Sequence, residues 1–299
     1  MNRIIHKECP LCNSTSTKKR FACKDHFASG ETFDIYECNG CGFVFTQGVP
    51  DEAEIGRYYE SPDYVSHSNT DKGMLNKLFH LVRSIMLRRK VSLVKKLTLL
   101  RNGKLLDYGA GTGYFANSMQ RAGWRVTAIE KSSAAREQAK ELFGIEMLPE
   151  EALAAQHDGK YNVVTLWHVM EHIQQLDNFW QQLYRILDDS GIAIVAVPNC
   201  ASYDAEFYGE HWAAYDTPRH LWHFTSSTMA KIADKHNFIL ERRYPMPFDG
   251  FYISMLSERY KGRKLATLRG LWNGFLGWIA SFDKCGASSS IIYVFRKRR

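Results

Sequence analysis

Four cysteines stand in two pairs of identical spacing, Cys9-x-x-Cys12 and Cys38-x-x-Cys41, with Gly40 and Gly42 flanking the last of them. Two such turns bring four thiolates together, and four thiolates close a tetrahedral zinc site whose binding energy offsets the lack of a large core. A four-cysteine set leaves no position for water or substrate, so the expected role of the zinc is structural. Cys23 and His26 share a CxxH spacing, but the ligand set is already complete without them. A second group lies in residues 105–115, LLDYGAGTGYF, where Gly109, Gly111 and Gly113 alternate directly after an apolar run. Glycine admits dihedrals closed to other residues and lets the backbone approach a ligand closely. The spacing is GxGxG, not GxGxxG, and no Gly-Lys-Ser/Thr follows, which counts against a phosphate-binding P-loop. A third group is an aromatic, histidine-rich stretch at 210–225 that contains His211, His220 and His223. Histidine transfers protons near neutral pH, so this stretch supplies candidate general bases.

These groups need elements to position them. From Lys104 onward the sequence alternates between strand-like runs (LLDYG, RVTAIE, NVVTLW, GIAIVAVPN) and helical ones (YFANSMQRAG, AAREQAKELFG, LDNFWQQLYRIL). Such alternation predicts βαβ units and a parallel sheet. STMAKIADKHN reads as a helix, FILERRYP as a strand, LATLRGLWNGFLGWIASF as a helix and SIIYVFRK as a terminal strand. The glycine loop therefore joins a strand to a helix. The next strand ends in Glu130, twenty-three residues after Asp107, where a carboxylate can accept hydrogen bonds from both hydroxyls of a ribose. The histidine stretch follows the fifth strand, at the carboxyl end of the sheet where open α/β sheets bind ligands. No Asp/Glu/His set in the sequence suggests a catalytic magnesium or zinc.

At 299 residues with 45% hydrophobic content the chain can bury a substantial core. Residues 1–48 are too few to do so unaided and read as a four-cysteine zinc-binding module, 49–74 as a connector or flap, and 75–299 as the main domain. Four of the positive charges behind the net +7 are the terminal 296–299, which read as a solvated tail. Eight basic and no acidic residues lie between Arg83 and Lys104, interleaved with leucines, as in a helix with one cationic face. The N-terminus lacks the apolar run of a signal peptide, and no stretch approaches the roughly 18–20 apolar residues of a membrane span, so a cytoplasmic location is expected.

LLDYGAGTGYF, AIEKS, NVVTLWHVMEHI and GIAIVAVPN resemble the first, second, fourth-strand and fifth-strand motifs of the class I S-adenosylmethionine-dependent methyltransferases. The resemblance covers residues 75–299. It implies an α/β fold, a Rossmann-like, mostly parallel seven-stranded sheet with helices on both faces, beside the small zinc-ribbon-like module. It also implies S-adenosylmethionine as cofactor and S-adenosylhomocysteine as product. Carried over, the cofactor positions are Asp107 at the methionine amino group, Gly109, Ala110, Gly111 and Gly113 in the loop, and Glu130 on the ribose. Lys131 falls near the adenine, His168 at the methionine end, and Tyr64 in a flap with Tyr58, Tyr59 and His67.

The four-cysteine module ahead of such a domain is similar to bacterial methyltransferases that modify sugars or other small metabolites. Residues 220–225 resemble the Glu-His-x-x-Tyr-Phe-Ser stretch of the sugar C-methyltransferases, which puts His220 in the place of the base, with His223 and His211 as alternatives. Arg219 stands where that stretch has glutamate, and could clamp an anionic group of the acceptor. The expected function is methylation, at oxygen or carbon, of a small and possibly anionic metabolite such as a sugar nucleotide or polysaccharide precursor. A zinc-assisted RNA or protein methyltransferase and a non-catalytic scaffold that binds the cofactor or its product are the alternatives. Nucleic acid is disfavoured because the cysteine module lacks interleaved basic and aromatic residues.

Overall fold

The computed structural model describes residues 3–59, 74–283 and 285–298. Tyr64 and His67 of the expected flap lie outside them. The N-terminal segment carries β1 (Arg3–Ile4), β2 (Thr17–Lys24), β3 (Thr32–Cys38), β4 (Val44–Gln47) and β5 (Val49–Pro50), and α1 spans Met74–Thr98. The alternating region then runs β6 (Lys104–Tyr108), α2 (Tyr114–Arg121), β7 (Arg125–Ile129), α3 (Ser133–Phe143), β8 (Tyr161–Trp167), α4 (Leu176–Ile186) and β9 (Leu187–Pro198). After it come α5 (Tyr203–Tyr208), β10 (Trp222–His223), α6 (Ser226–Lys235), β11 (Phe238–Pro245), α7 (Asp249–Tyr260), α8 (Ala266–Asp283) and β12 (Ser290–Lys297).

The main sheet has the order β11-β12-β9-β8-β6-β7. Its β7, β6, β8 and β9 are parallel, and β12 and β11 join antiparallel. The sheet thus has six strands where seven were expected. Beyond β7 the seventh position is reduced to one parallel bridge between Ile129 and Leu148, closed by Leu148 N–H to Ala128 O and Glu130 N–H to Leu148 O. Pro149 follows at once, and proline has no N–H with which to extend a ladder.

Both faces of the sheet are buried, as the near-continuous apolar strands require. Leu106 and Tyr108 of β6, Val164 and Leu166 of β8, and Val195 and Val197 of β9 face one core, which α4 covers with Phe179, Trp180 and Leu183. Their neighbours Leu105, Val163, Ile194 and Ala196 face the opposite core, against Val94 of α1 and Phe115 and Met119 of α2. Local signals fix the helix ends: Ser132 caps α3 by accepting from Ala135 N–H, and Thr225 with Thr228 forms a capping box at α6.

The N-terminal strands order as β10-β4-β3-β2, so the main chain around His223 completes the sheet of the cysteine segment. Cys9, Phe43 and Phe45 share one continuous core with Trp222, Phe224 and the main sheet. The shortage of apolar residues in the first 48 positions is met by this sharing. α7 has no counterpart in the sequence-level reading. It supports α8, whose Gly270 and Gly274 lie so close that a Cβ would come within 2.4 Å of Met255 Cα and 2.6 Å of Phe251 Cα. The opposite side of α8 exposes Leu268, Trp272, Phe275, Ile279 and Phe282. Among the described residues no helix is long and apolar enough to cross a membrane.

Candidate active site

The site begins where β6 ends. Gly109 (φ +71°), Gly111 (φ +54°) and Gly113 (φ +82°) all take left-handed conformations that favour glycine. A Cβ on Gly109 would lie 2.4 Å from Val169 Cγ2, which places the segment after β8 directly on the loop, whereas a Cβ on Gly111 would meet nothing within 4 Å. The loop is thus backed on one side and open on the other, which is a cradle for a ligand held by backbone.

Glu130 spans the cradle. Its carboxylate accepts from Gly111 N–H at 2.7 Å and from Ser132 N–H at 2.9 Å, while Arg136 donates to its backbone carbonyl at 2.7 Å. Asp107 is buried and accepts from Thr165 Oγ1 at 2.7 Å. Burial pushes the Asp107 carboxyl up to about 7, against the pull of the Thr165 hydrogen bond and the Lys90 ammonium. Lys90 belongs to the basic helix, yet its Nζ sits 4.1 Å from the centroid of the Trp167 ring, on the sheet side of α1. Lys131 is exposed and paired with Glu150 at 3.3 Å and Glu52 at 3.8 Å. These residues fit an S-adenosylmethionine molecule: an open glycine cradle, a two-oxygen acceptor at the ribose position, and a buried carboxylate for an ammonium group.

His168 follows β8 with φ +59°. Its Nε2 is 3.0 Å from Asp249 of α7, and its Nδ1 is 3.5 Å from Glu171. Burial opposes a charge there, but the two carboxylates outweigh it and raise His168 to about 9. Three residues on, Glu171 is fully buried, and neither carboxylate oxygen makes a hydrogen bond.

His172 and His220 meet beside Glu171 with ring centroids 4.6 Å apart. His172 Nδ1 lies 3.0 Å from Arg219 O and 3.0 Å from Tyr59 Oη, and His220 Nδ1 lies 2.8 Å from Ala214 O. A carbonyl only accepts, so each Nδ1 carries a proton, and a neutral ring then has its lone pair on Nε2. Burial and the neighbouring His220 lower His172 to about 4, which keeps it neutral. One ligand atom from each of Glu171, His172 and His220 lies within 4.8 Å of the others.

His223 and His211 stand elsewhere. His223 is buried in β10 with Nε2 2.9 Å from Thr46 Oγ1, and burial holds it well below its ordinary value. His211 pairs with Glu210 at 3.8 Å. Arg219 does not face an acceptor: it is buried, 3.1 Å from Asp25 and 2.5 Å from Asp216, and donates to Tyr58 O at 2.9 Å. Its guanidinium is spent on tying the N-terminal segment to the histidine stretch.

The four cysteines converge as their spacing predicts, with Cys9 Sγ to Cys41 Sγ and Cys12 Sγ to Cys38 Sγ both 3.5 Å and all four sulfurs within 4.8 Å of one another. Zn–S bonds of about 2.3 Å place tetrahedral sulfurs about 3.8 Å apart, so this cage has the size of a zinc site. Sequence reasoning did not assign roles to Glu171, Asp249 or Lys90. Glu171 was visible in the HVMEHI motif, whereas Asp249 and Lys90 reach the site only through the packing of α7 and α1.

A sequence profile described as a methyltransferase domain matches residues 79–242, more than half of the chain. The chain belongs to the methyltransferase domain family. Its fold is that of the class I S-adenosylmethionine-dependent methyltransferases. It is 28% identical over 109 residues to a ubiquinone biosynthesis O-methyltransferase of Psychrobacter cryohalolentis, covering 33% of this chain and 42% of that one. With the corresponding protein of Caulobacter sp. K31 it is 33% identical over 104 residues, covering 32% and 41%. The chain therefore spans about two-fifths of the length of these relatives. In overall fold it is similar to the 1,6-didemethyltoxoflavin-N1-methyltransferase of Burkholderia thailandensis, with a TM-score of 0.50, 13% identity, and 93% and 100% of the two chains covered.

Proposed function

We propose that the chain transfers the methyl group of S-adenosylmethionine to a hydroxyl oxygen of a small molecule. When bound, the cofactor supplies a sulfonium methyl for in-line displacement. The protein must align the acceptor with it and remove the hydroxyl proton as the bond forms. Asp107, the glycine loop with Ala110, and Glu130 are assigned to holding the cofactor, with His168 at its methionine end and Lys131 at its outer edge. His220 is assigned to the proton. The observation that carries this reading is the meeting of His172 and His220, each with its Nδ1 on a backbone carbonyl, beside a segment that packs on the glycine loop.

The names of the curated relatives support oxygen as the methylated atom. A sugar nucleotide or polysaccharide precursor is one hydroxylated acceptor among others, and Arg219 is committed internally to Asp25 and Asp216. We assign one structural zinc to Cys9, Cys12, Cys38 and Cys41, which holds β4 in register for β10 and so steadies the histidine stretch.

The test is to incubate the protein with methyl-labelled S-adenosylmethionine and a cell extract and to separate acid-soluble from precipitable label. Soluble label that disappears in His220→Ala, with product affinity retained, supports the reading. Label in RNA or protein overturns it, and turnover that survives His220→Ala removes the base assignment.

A further inference from the structure

We propose that Glu171, His172 and His220 form a binding site for one divalent first-row transition-metal cation, separate from the four cysteines. The inference rests on reading this cluster as the acceptor end of the methyltransferase site, and it names a component of that site.

Three independent features converge. The first is the Glu171 carboxylate, fully buried with both oxygens lacking a hydrogen bond. A buried carboxylate is strongly disfavoured unless cationic groups and hydrogen bonds compensate it. His168 compensates it only in part, because that one imidazole is shared between Glu171, 3.5 Å from its Nδ1, and Asp249, 3.0 Å from its Nε2.

The second feature is the orientation of the other two imidazoles. His172 and His220 both donate Nδ1–H to backbone carbonyls, of Arg219 and Ala214. Metal-bound histidines are held in this manner, with the remote N–H on a carbonyl or carboxylate and the near nitrogen left as a lone-pair donor. Neither imidazole makes a hydrogen bond to Glu171. A metal ion satisfies all three groups at once.

The third is size. The ligand atoms lie within 4.8 Å of one another, and bonds of about 2.1 Å set ligands on opposite sides of one ion about 4 Å apart, so small side-chain adjustments close the site. Two imidazoles and one carboxylate suit Mn²⁺, Fe²⁺, Co²⁺ or Zn²⁺, while Mg²⁺ prefers oxygen alone. Asp216 Oδ2, 3.9 Å from His220 Nε2, adds negative potential, though Arg219 already holds that carboxylate. A three-residue set leaves positions open, and a cation there lowers the pKa of a hydroxyl brought to it. With the ion bound, His220 would act on the acceptor through it instead of taking the hydroxyl proton directly, and that proton would pass to water.

The experiment uses full-length protein stripped of metal and refilled with one equivalent of zinc for the cysteines. MnCl₂ is titrated in while the paramagnetic resonance of free Mn²⁺ is followed, because Mn²⁺ favours nitrogen and oxygen over thiolate. The expected result is one Mn²⁺ bound per chain, weakened at least tenfold in both Glu171→Gln and His220→Asn at unchanged melting temperature. Absence of bound Mn²⁺ in the wild type overturns the proposal without reference to any variant, as does binding that both variants retain in full. S-adenosylhomocysteine is titrated into the same samples. Binding of the nucleoside without Mn²⁺ sinks the cation site and leaves the methyltransferase reading standing. Binding of Mn²⁺ without the nucleoside supports the cation site and counts against the methyltransferase reading.

Discussion

Arg219→Met tests whether the N-terminal segment and the histidine stretch are locked together by charge. In the native protein the guanidinium is only 2% exposed and lies against Asp25, itself fully buried, and Asp216, which is 26% exposed. Removing one partner of a buried pair leaves an uncompensated charge, a loss of about 3–5 kcal/mol. At about 2–4 °C per kcal/mol for a domain of this size, the melting temperature should fall by roughly 10 °C at pH 7. The pH dependence carries a sign as well. Burial raises both carboxyls, and Arg219 is the leading influence that brings Asp216 below its ordinary value. Asp25 is held down first by the Ser29 backbone N–H and then by Arg219. In the wild type, stability from these depressed values is present above the ordinary carboxylate range and is lost as pH falls through the lowered values. In Arg219→Met the Asp216 carboxyl is raised by burial instead, so acidification from pH 7 to pH 5 should narrow the gap between variant and wild type. Thermal melts at both pH values are the assay. A drop of under about 2 °C at pH 7, or a gap that widens on acidification, refutes the argument.

Three further outcomes follow from the same contacts. Gly109→Ala forces a side chain into a left-handed conformation, at about 1–2 kcal/mol, and against Val169, so nucleoside binding should be lost; Val169→Ala in the same chain should restore part of the stability, by denaturant titration, but not the dihedral cost. Because the Asp107 carboxyl stands at about 7, S-adenosylhomocysteine should bind more tightly as pH rises, with a slope of up to about tenfold per unit below 7, and calorimetry on Asp107→Asn should show that slope abolished. Chelation should release one zinc from the four cysteines, and amide exchange should then accelerate in β4 and in β10 together, since the two are paired; exchange confined to β4 would show that the segments are uncoupled.

The parts of this fold that were legible in the sequence are those dictated locally. The near-continuous apolar runs of β6, β8 and β9, the glycines after Tyr108 and the two cysteine pairs each announce themselves within a dozen residues. What was illegible depends on distant pairings. The missing seventh strand turns on Leu148 standing alone before Pro149, a contrast that only the sheet edge reveals. His223 resembled His220 in type and neighbourhood, yet its place in β10 opposite Val44 commits it to Thr46. α7 escaped notice because its apolar positions serve α8 and the aromatic stretch instead of one clear stripe. The convergence of Glu171 and His172 with His220 joins two segments that only the tertiary fold brings together, and Arg219 looked available because Asp25 is far away in sequence.

The central claim is that residues 107–130 hold S-adenosylmethionine. Titration calorimetry with S-adenosylhomocysteine, on the wild type and on Glu130→Ala, tests it most directly. Two hydrogen bonds to a charged carboxylate, at roughly 1.5–3 kcal/mol each, predict one site per chain in the wild type and affinity at least about 100-fold weaker in Glu130→Ala. A wild type that binds no nucleoside, or a Glu130→Ala variant that binds it equally well, would contradict the account.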